Sequence, residues 1–157
     1  MKEVTANAVQ QRLGENHQDY SILKLADNAE IIITKRGGRI LGPFAGEGEP
    51  SLLWINEVFQ SNKEFKKFLE RNDWNMGGER LYMGPEIQYS VEDRSRFWET
   101  YRLSPEIDPG TYILKDDAAN QRAILSQEMQ LTVYPEKVTK KLTIYRTIRQ
   151  SADPLRY

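Results

Sequence analysis

Ala123-Ile124-Leu125-Ser126-Gln127-Glu128-Met129-Gln130-Leu131-Thr132-Val133 is the stretch that decides the fold class. Odd positions carry Ala123, Leu125, Met129, Leu131 and Val133, while even positions carry Ser126, Glu128, Gln130 and Thr132. Successive strand side chains point to opposite faces, so this alternation predicts a half-buried antiparallel strand. Tyr134-Pro135-Glu136-Lys137 supplies a turn, and the run from Lys141 to Arg149 alternates again with Leu142, Ile144 and Ile148 inward. Arg146 falls on that apolar face. An unpaired guanidinium there would be costly, so it must reach a partner, a rim or a ligand.

Upstream, Tyr20 to Leu25 and Ala29 to Thr34 are further β-rich runs joined by Ala26-Asp27-Asn28. Asp and Asn tolerate the backbone angles of a short connection, so this reads as a hairpin. Three successive isoleucines, Ile31 to Ile33, predict a strand with apolar neighbours on both faces. Arg36-Gly37-Gly38-Arg39-Ile40-Leu41 turns and resumes the sheet. It is no phosphate loop, because the Gly-Lys-Ser/Thr ending is missing and no helix pattern follows. Ser51 to Asn56 reads as another short strand. Residues 5–13 suit a short helix capped by Thr5, with Val9 and Leu13 on one face. A second helix starts at Ser61-Asn62-Lys63-Glu64, a capping-box pattern, and should end near Asn72-Asp73. Phe65, Phe68 and Leu69 form its apolar face, and Lys63, Lys66 and Lys67 its solvated one. Ser104 to Gly110 is a loop with strong turn chemistry.

The chain has 157 residues, 39% of them hydrophobic and 29% charged, with a formal net charge of −1. These values predict one soluble globular domain, 1–157, with no global field to attract nucleic acid or an anionic membrane. No apolar run approaches a membrane span, and Met1 to Ala6 lacks a signal-peptide core, which predicts a cytoplasmic protein if the chain starts at its natural start. The absence of cysteine removes disulfides, thiolate nucleophiles and zinc–thiolate sites. The single histidine, His17, makes a His-based metal centre or a Ser/His/Asp triad improbable, and its polar surroundings read as surface. No metal and no cofactor is expected.

Two glycine-framed turns hold the candidate chemistry. Trp74-Asn75-Met76-Gly77-Gly78-Glu79-Arg80-Leu81-Tyr82-Met83-Gly84-Pro85-Glu86 reads either as a plain strand between turns or as one that carries an arginine and acids to a concave surface. The aromatic and cationic mixture that follows, from Tyr89 to Trp98, suits either ordinary sheet edges or a stacking surface.

The ordered succession Gly37-Gly38-Arg39-Ile40-Leu41, Leu52-Leu53-Trp54-Ile55-Asn56 and Gly77 to Glu86 resembles the N-terminal portion of galactose-mutarotase-like proteins, the aldose 1-epimerase superfamily. It is most similar to a bacterial branch with a Gly-Gly-x-Arg-x-Trp-x-x-Pro-Glu segment, in which Tyr82 stands at the aromatic position. The resemblance spans roughly residues 20–150. It implies an all-β, mainly antiparallel fold, a β-sandwich forming part of a supersandwich, with one or two short helices. Residues 1–18 would be an N-terminal helix or arm, and 19–150 the sandwich region.

The resemblance also implies a concave face that binds a small-molecule carbohydrate through Arg80, Glu79, Glu86, Arg39, Trp74 and Tyr82. The family's catalytic histidines and its C-terminal glutamate base have no counterpart in this chain. The expected function is therefore carbohydrate binding by an epimerase-like protein that is incomplete or catalytically weak on its own, with no catalytic residue assigned. The alternative is a non-catalytic β-sandwich module for binding or assembly. A half-sandwich exposes apolar sheet surface, which predicts self-association as a homodimer.

Overall fold

The computed structural model describes residues 3–152; the ends of the expected 1–157 domain, residues 1–2 and 153–157, lie outside the described residues. Helix α1 (Ala6–Glu15) starts at Thr5, whose Oγ1 accepts from the Ala8 N–H at 3.4 Å, and it buries Ala6, Val9 and Leu13. Strands β1 (Tyr20–Lys24) and β2 (Glu30–Thr34) then pair antiparallel in unbroken register. Asp27 and Asn28 make their connection in the left-handed region, at φ 58° and 62°. These are residue types that tolerate it, so the hairpin forms where the sequence places it. Strand β3 (Ile40–Phe44) adds to the far edge of β2.

Helix α2 (Asn62–Glu70) is capped by Ser61, whose hydroxyl accepts from the Glu64 N–H at 3.5 Å. Only this half of the expected capping box forms. The Glu64 carboxylate turns instead to Lys67 Nζ at 2.9 Å, and the Ser61 N–H donates to the Val58 carbonyl at 3.3 Å. Two helical turns follow, α3 (Ile87–Ser90) and α4 (Phe97–Thr100). Strand β4 (Ile113–Asp117) pairs with β5 (Arg122–Val133), which pairs along its whole length with β6 (Val138–Arg149). Among the described residues, no helix is long and apolar enough to cross a membrane.

The architecture bears out the all-β, mainly antiparallel expectation only in part. The described residues are rich in antiparallel strand but mixed: they form two three-stranded sheets, β1-β2-β3 and β4-β5-β6, with helices beside them. Residues 51–56 and 74–91 are not strands. Each touches the first sheet or its neighbour through single bridges, Phe44 to Ser51, Ile40 to Glu79 and Ile55 to Gly77. The reason is local backbone. Gly77 and Gly78 take φ of 90° and 67°, which breaks strand geometry, and beyond Pro85 the Ser90 N–H closes a helical turn on the Glu86 carbonyl at 2.9 Å.

The first sheet has an apolar cluster on each face. Ile32, Leu41 and Phe44 face α1, α2, Phe59 and Met76, while Leu23 and Ile33 face Tyr112, just ahead of β4, and Ala123 and Leu125 of the second sheet. The isoleucine run is therefore used on both faces, as expected. A third cluster, Ile107, Met129 and Leu131 with Met83 and Tyr89 against it, covers the outer part of the β5–β6 hairpin. Each fully buried Leu, Ile or Phe contributes about 1.5–3 kcal/mol. The three clusters therefore fix how the 74–110 segment lies against both sheets.

Candidate functional site

The site is built outward from Arg39, the residue immediately before β3. The preceding Arg36–Gly38 turn drops Arg39 into the interior, where its side chain is 3% exposed. Its Nη1 donates to the Gly77 carbonyl at 2.9 Å and its Nη2 to the Trp74 carbonyl at 3.4 Å. The same Nη2 forms an ion pair with Asp108, whose side chain is 1% exposed. Arg39 thus bolts the 74–78 segment to the first sheet and to the 104–110 loop. Burial pushes the Asp108 carboxyl above its ordinary value, while Arg39, Arg80 and Arg36 pull against that shift.

Around this bolt lies an aromatic and charged surface. The Trp74 ring has the Arg39 guanidinium 5.7 Å away and that of Arg80 5.8 Å away. Arg80 also lies 5.4 Å from the Tyr82 ring. Such cation–ring contacts are worth about 0.5–2 kcal/mol each and orient the guanidinium. Arg80 Nη2 reaches Glu86 Oε1 at 3.4 Å, and the Tyr101 hydroxyl donates to the same oxygen at 3.1 Å. The Glu86 carboxylate holds the Tyr82 phenol above its usual value. Burial, then Glu86, does the same to Tyr101, and pushes Tyr89 up to about 12. Trp74 and Tyr82 remain 38% and 63% exposed, so the two rings offer faces to solvent beside fixed donors and an acceptor.

Of the six expected site residues, Arg39, Trp74, Arg80, Tyr82 and Glu86 come together. Glu79 does not join them. It points instead to Arg146 of β6, at 2.5 Å, and Arg146 Nη1 also donates to the Gly38 carbonyl at 2.6 Å. Arg146 thereby finds its partner, as its inward position required. His17 is exposed, as expected of its polar surroundings.

Asp108 and Tyr101 complete the cluster without having been anticipated. Asp108 sits in a stretch whose turn chemistry accounts for an aspartate by itself, and nothing in the sequence pairs it with Arg39. Gln127 was also passed over. It is the gap in the odd-numbered apolar series of β5, it is buried, and its Oε1 accepts from the Thr111 N–H at 3.0 Å. A polar residue interrupting an apolar series is the signal that could have found it.

Among the described residues there is no group of three or more His, Cys, Asp or Glu side chains able to hold a metal. Compared with protein-family models, curated proteins and solved structures, the chain matches none.

Proposed function

We propose that the Trp74, Arg80, Tyr82 and Glu86 surface binds carbohydrate, and that the chain is an aldose-epimerase-like sugar-binding protein, catalytically weak or incomplete on its own. On this reading the two sheets are part of a mutarotase-like β-supersandwich. The observation that carries it is the placement of Arg80: its guanidinium lies over both Trp74 and Tyr82 and is tethered to Glu86. Sugar rings present apolar C–H faces for stacking and hydroxyls for hydrogen bonding. An exposed ring pair with a fixed guanidinium and carboxylate supplies both. Arg39 and Asp108 are supports in this scheme, since both are sealed from solvent.

Sugar binding is tested by calorimetry and by NMR shifts of the Trp74 indole across a panel of common aldoses. Saturable binding lost in Arg80→Ala and Tyr82→Ala supports the reading, and a flat response across the panel rejects it. Catalysis is tested separately by anomer interconversion. A rate equal to that in buffer removes the enzyme and leaves the binding protein.

A second reading, a non-catalytic module for assembly, is favoured by one observation. Leu52, Leu53 and Trp54 stand 83%, 42% and 54% exposed in succession. Apolar side chains exposed together mark interaction surfaces. Homodimerisation belongs to this reading, and a monomeric sedimentation profile at high concentration would count against it.

A further inference from the structure

A cleft of about 510 Å³, lined by none of Trp74, Arg80, Tyr82 or Glu86, lies between the α1–β1 connection, the β2–β3 turn and the chain entering β4. Its walls include His17, Asp19, Lys35 and Arg36, with Thr111 and Tyr112 opposite. Two permanent cations and an imidazole thus face a single carboxylate. Arg36 is anchored from behind. Its Nη2 donates to Asn72 Oδ1 and to the Asp73 carbonyl, both at 2.9 Å, and its guanidinium lies 6.0 Å from the Phe68 ring. A guanidinium held this way has lost its rotamer freedom before any ligand arrives, and its planar fork suits oxyanions. Lys35 is different. Its Nζ contacts Asp19 Oδ2 at 2.8 Å, with the two side chains 49% and 63% exposed. An ion pair so open to water is worth only about 0.2–1 kcal/mol, so a better anion can replace it.

We propose that this cleft binds a small oxyanion, a carboxylate or phosphate group, between the anchored Arg36 guanidinium and the Lys35 ammonium, with Asp19 as the internal competitor. The role of Asp19 sets this site apart from a merely positive patch. Removing its charge frees Lys35 and takes away a repelling anion, so the variant binds more tightly than the parent.

His17 is the sole histidine of the chain, so its ring resonances report on the cleft without overlap. The full chain is titrated with inorganic phosphate and with acetate, against sodium chloride at equal ionic strength. Saturable shifts with phosphate, acetate or both are expected, and which of them saturates identifies the ligand class. Asp19→Asn tightens binding about two- to fivefold, the size of an exposed ion pair, and Lys35→Gln weakens it by at least as much. Lys140→Gln, an equal charge change on β6, leaves it unaltered. Arg36→Gln abolishes saturation; because Arg36 also supports Asn72 and Asp73, the Asp19 and Lys35 variants decide if it fails to fold. An equal response to chloride, no tightening in Asp19→Asn, or the same loss in Lys140→Gln overturns the proposal. None of these outcomes bears on sugar binding at Trp74.

Discussion

Arg39 and Asp108, 69 residues apart in sequence, form an ion pair with side chains only 3% and 1% exposed. One end of the pair stands at the entry to β3 of the first sheet and the other in the loop that precedes β4. Breaking such a pair leaves an uncompensated charge in the interior, so Asp108→Leu should cost about 3–5 kcal/mol in urea unfolding. The double variant Arg39→Met with Asp108→Leu should recover part of that loss, because no charge is left stranded. Recovery stays incomplete, since the Gly77 and Trp74 carbonyls lose their donor. Additive single and double values would show that the two side chains do not interact.

That pair also marks where sequence reasoning stops. The β5–β6 hairpin, the β1–β2 hairpin and the caps at Thr5 and Ser61 were legible, because each depends on residues a few positions apart. Alternation in Ala123 to Val133 needs only the local period, and the Asp27–Asn28 turn only local backbone tolerance. Segment 74–86 reads as a strand between glycine turns, but Gly77 and Gly78 lie inside the segment in the left-handed region, and that break is not fixed by residue type alone. Arg39 could be nominated from its glycine turn, but its partner is set by how the 104–110 loop folds back. No local pattern encodes that return.

Gly77 and Gly14 should respond to alanine with opposite signs. A Cβ at Gly77 would stand 2.4 Å from the Trp54 carbonyl oxygen and 2.6 Å from the Ile55 Cα, on a backbone at φ 90°. Neither backbone neighbour can swing aside, so Gly77→Ala should destabilise by about 2 kcal/mol or more. Gly14 lies inside α1 with nothing within 4 Å of its Cβ position. There Gly14→Ala should stabilise by about 0.5–1 kcal/mol, through helix propensity and a less flexible unfolded chain. Thermal and urea unfolding of both variants check the contrast.

Tyr89 supplies the pH dependence. Its phenol is pushed up to about 12, first by burial and then by the Glu86 carboxylate. An unfolded tyrosine titrates near about 10. The folded state therefore holds the proton more tightly, and the resulting stabilisation is complete below about pH 10 and lost as pH rises through 12. NMR of the tyrosine ring carbons should show Tyr89 still protonated at about pH 11. Glu86→Gln should lower its midpoint only partly, because burial is the larger cause. A Tyr89 midpoint at the ordinary value would mean that its ring does not pack against the Ile107, Met129 and Leu131 cluster.

Gln127 should prove less replaceable than its apolar neighbours in β5. Its Oε1 accepts from the Thr111 N–H at 3.0 Å, and its amide donates to the Glu106 carbonyl. Gln127→Leu keeps the volume but leaves both backbone groups without a partner, at a cost of about 1–3 kcal/mol for each that water cannot reach. Leu125→Met, on the same face two residues away, should cost under about 1.5 kcal/mol, as volume-conserving swaps do. If Gln127→Leu were as mild, the 104–111 loop would not depend on this side chain. Amide exchange at Thr111 would then stay slow in the variant, where loss of its acceptor should make it fast.

Arg146 joins the second sheet to the turn between β2 and β3, 108 residues away, by donating to the Gly38 carbonyl at 2.6 Å. It also reaches Glu79, whose side chain is 47% exposed, at 2.5 Å. The two contacts should differ in worth. The Gly38 bond lies at a buried turn and carries a charged donor, so its loss should cost about 1.5–3 kcal/mol. The Glu79 pair is open to water and should contribute under about 1 kcal/mol. Glu79→Ala is therefore expected to be nearly silent in urea unfolding, and Arg146→Met clearly destabilising although it keeps most of the apolar stem. Salt separates the two further, because screening weakens the Glu79 contact and scarcely touches the Gly38 bond. Equal losses in both variants would instead place the strength of this junction in the ion pair.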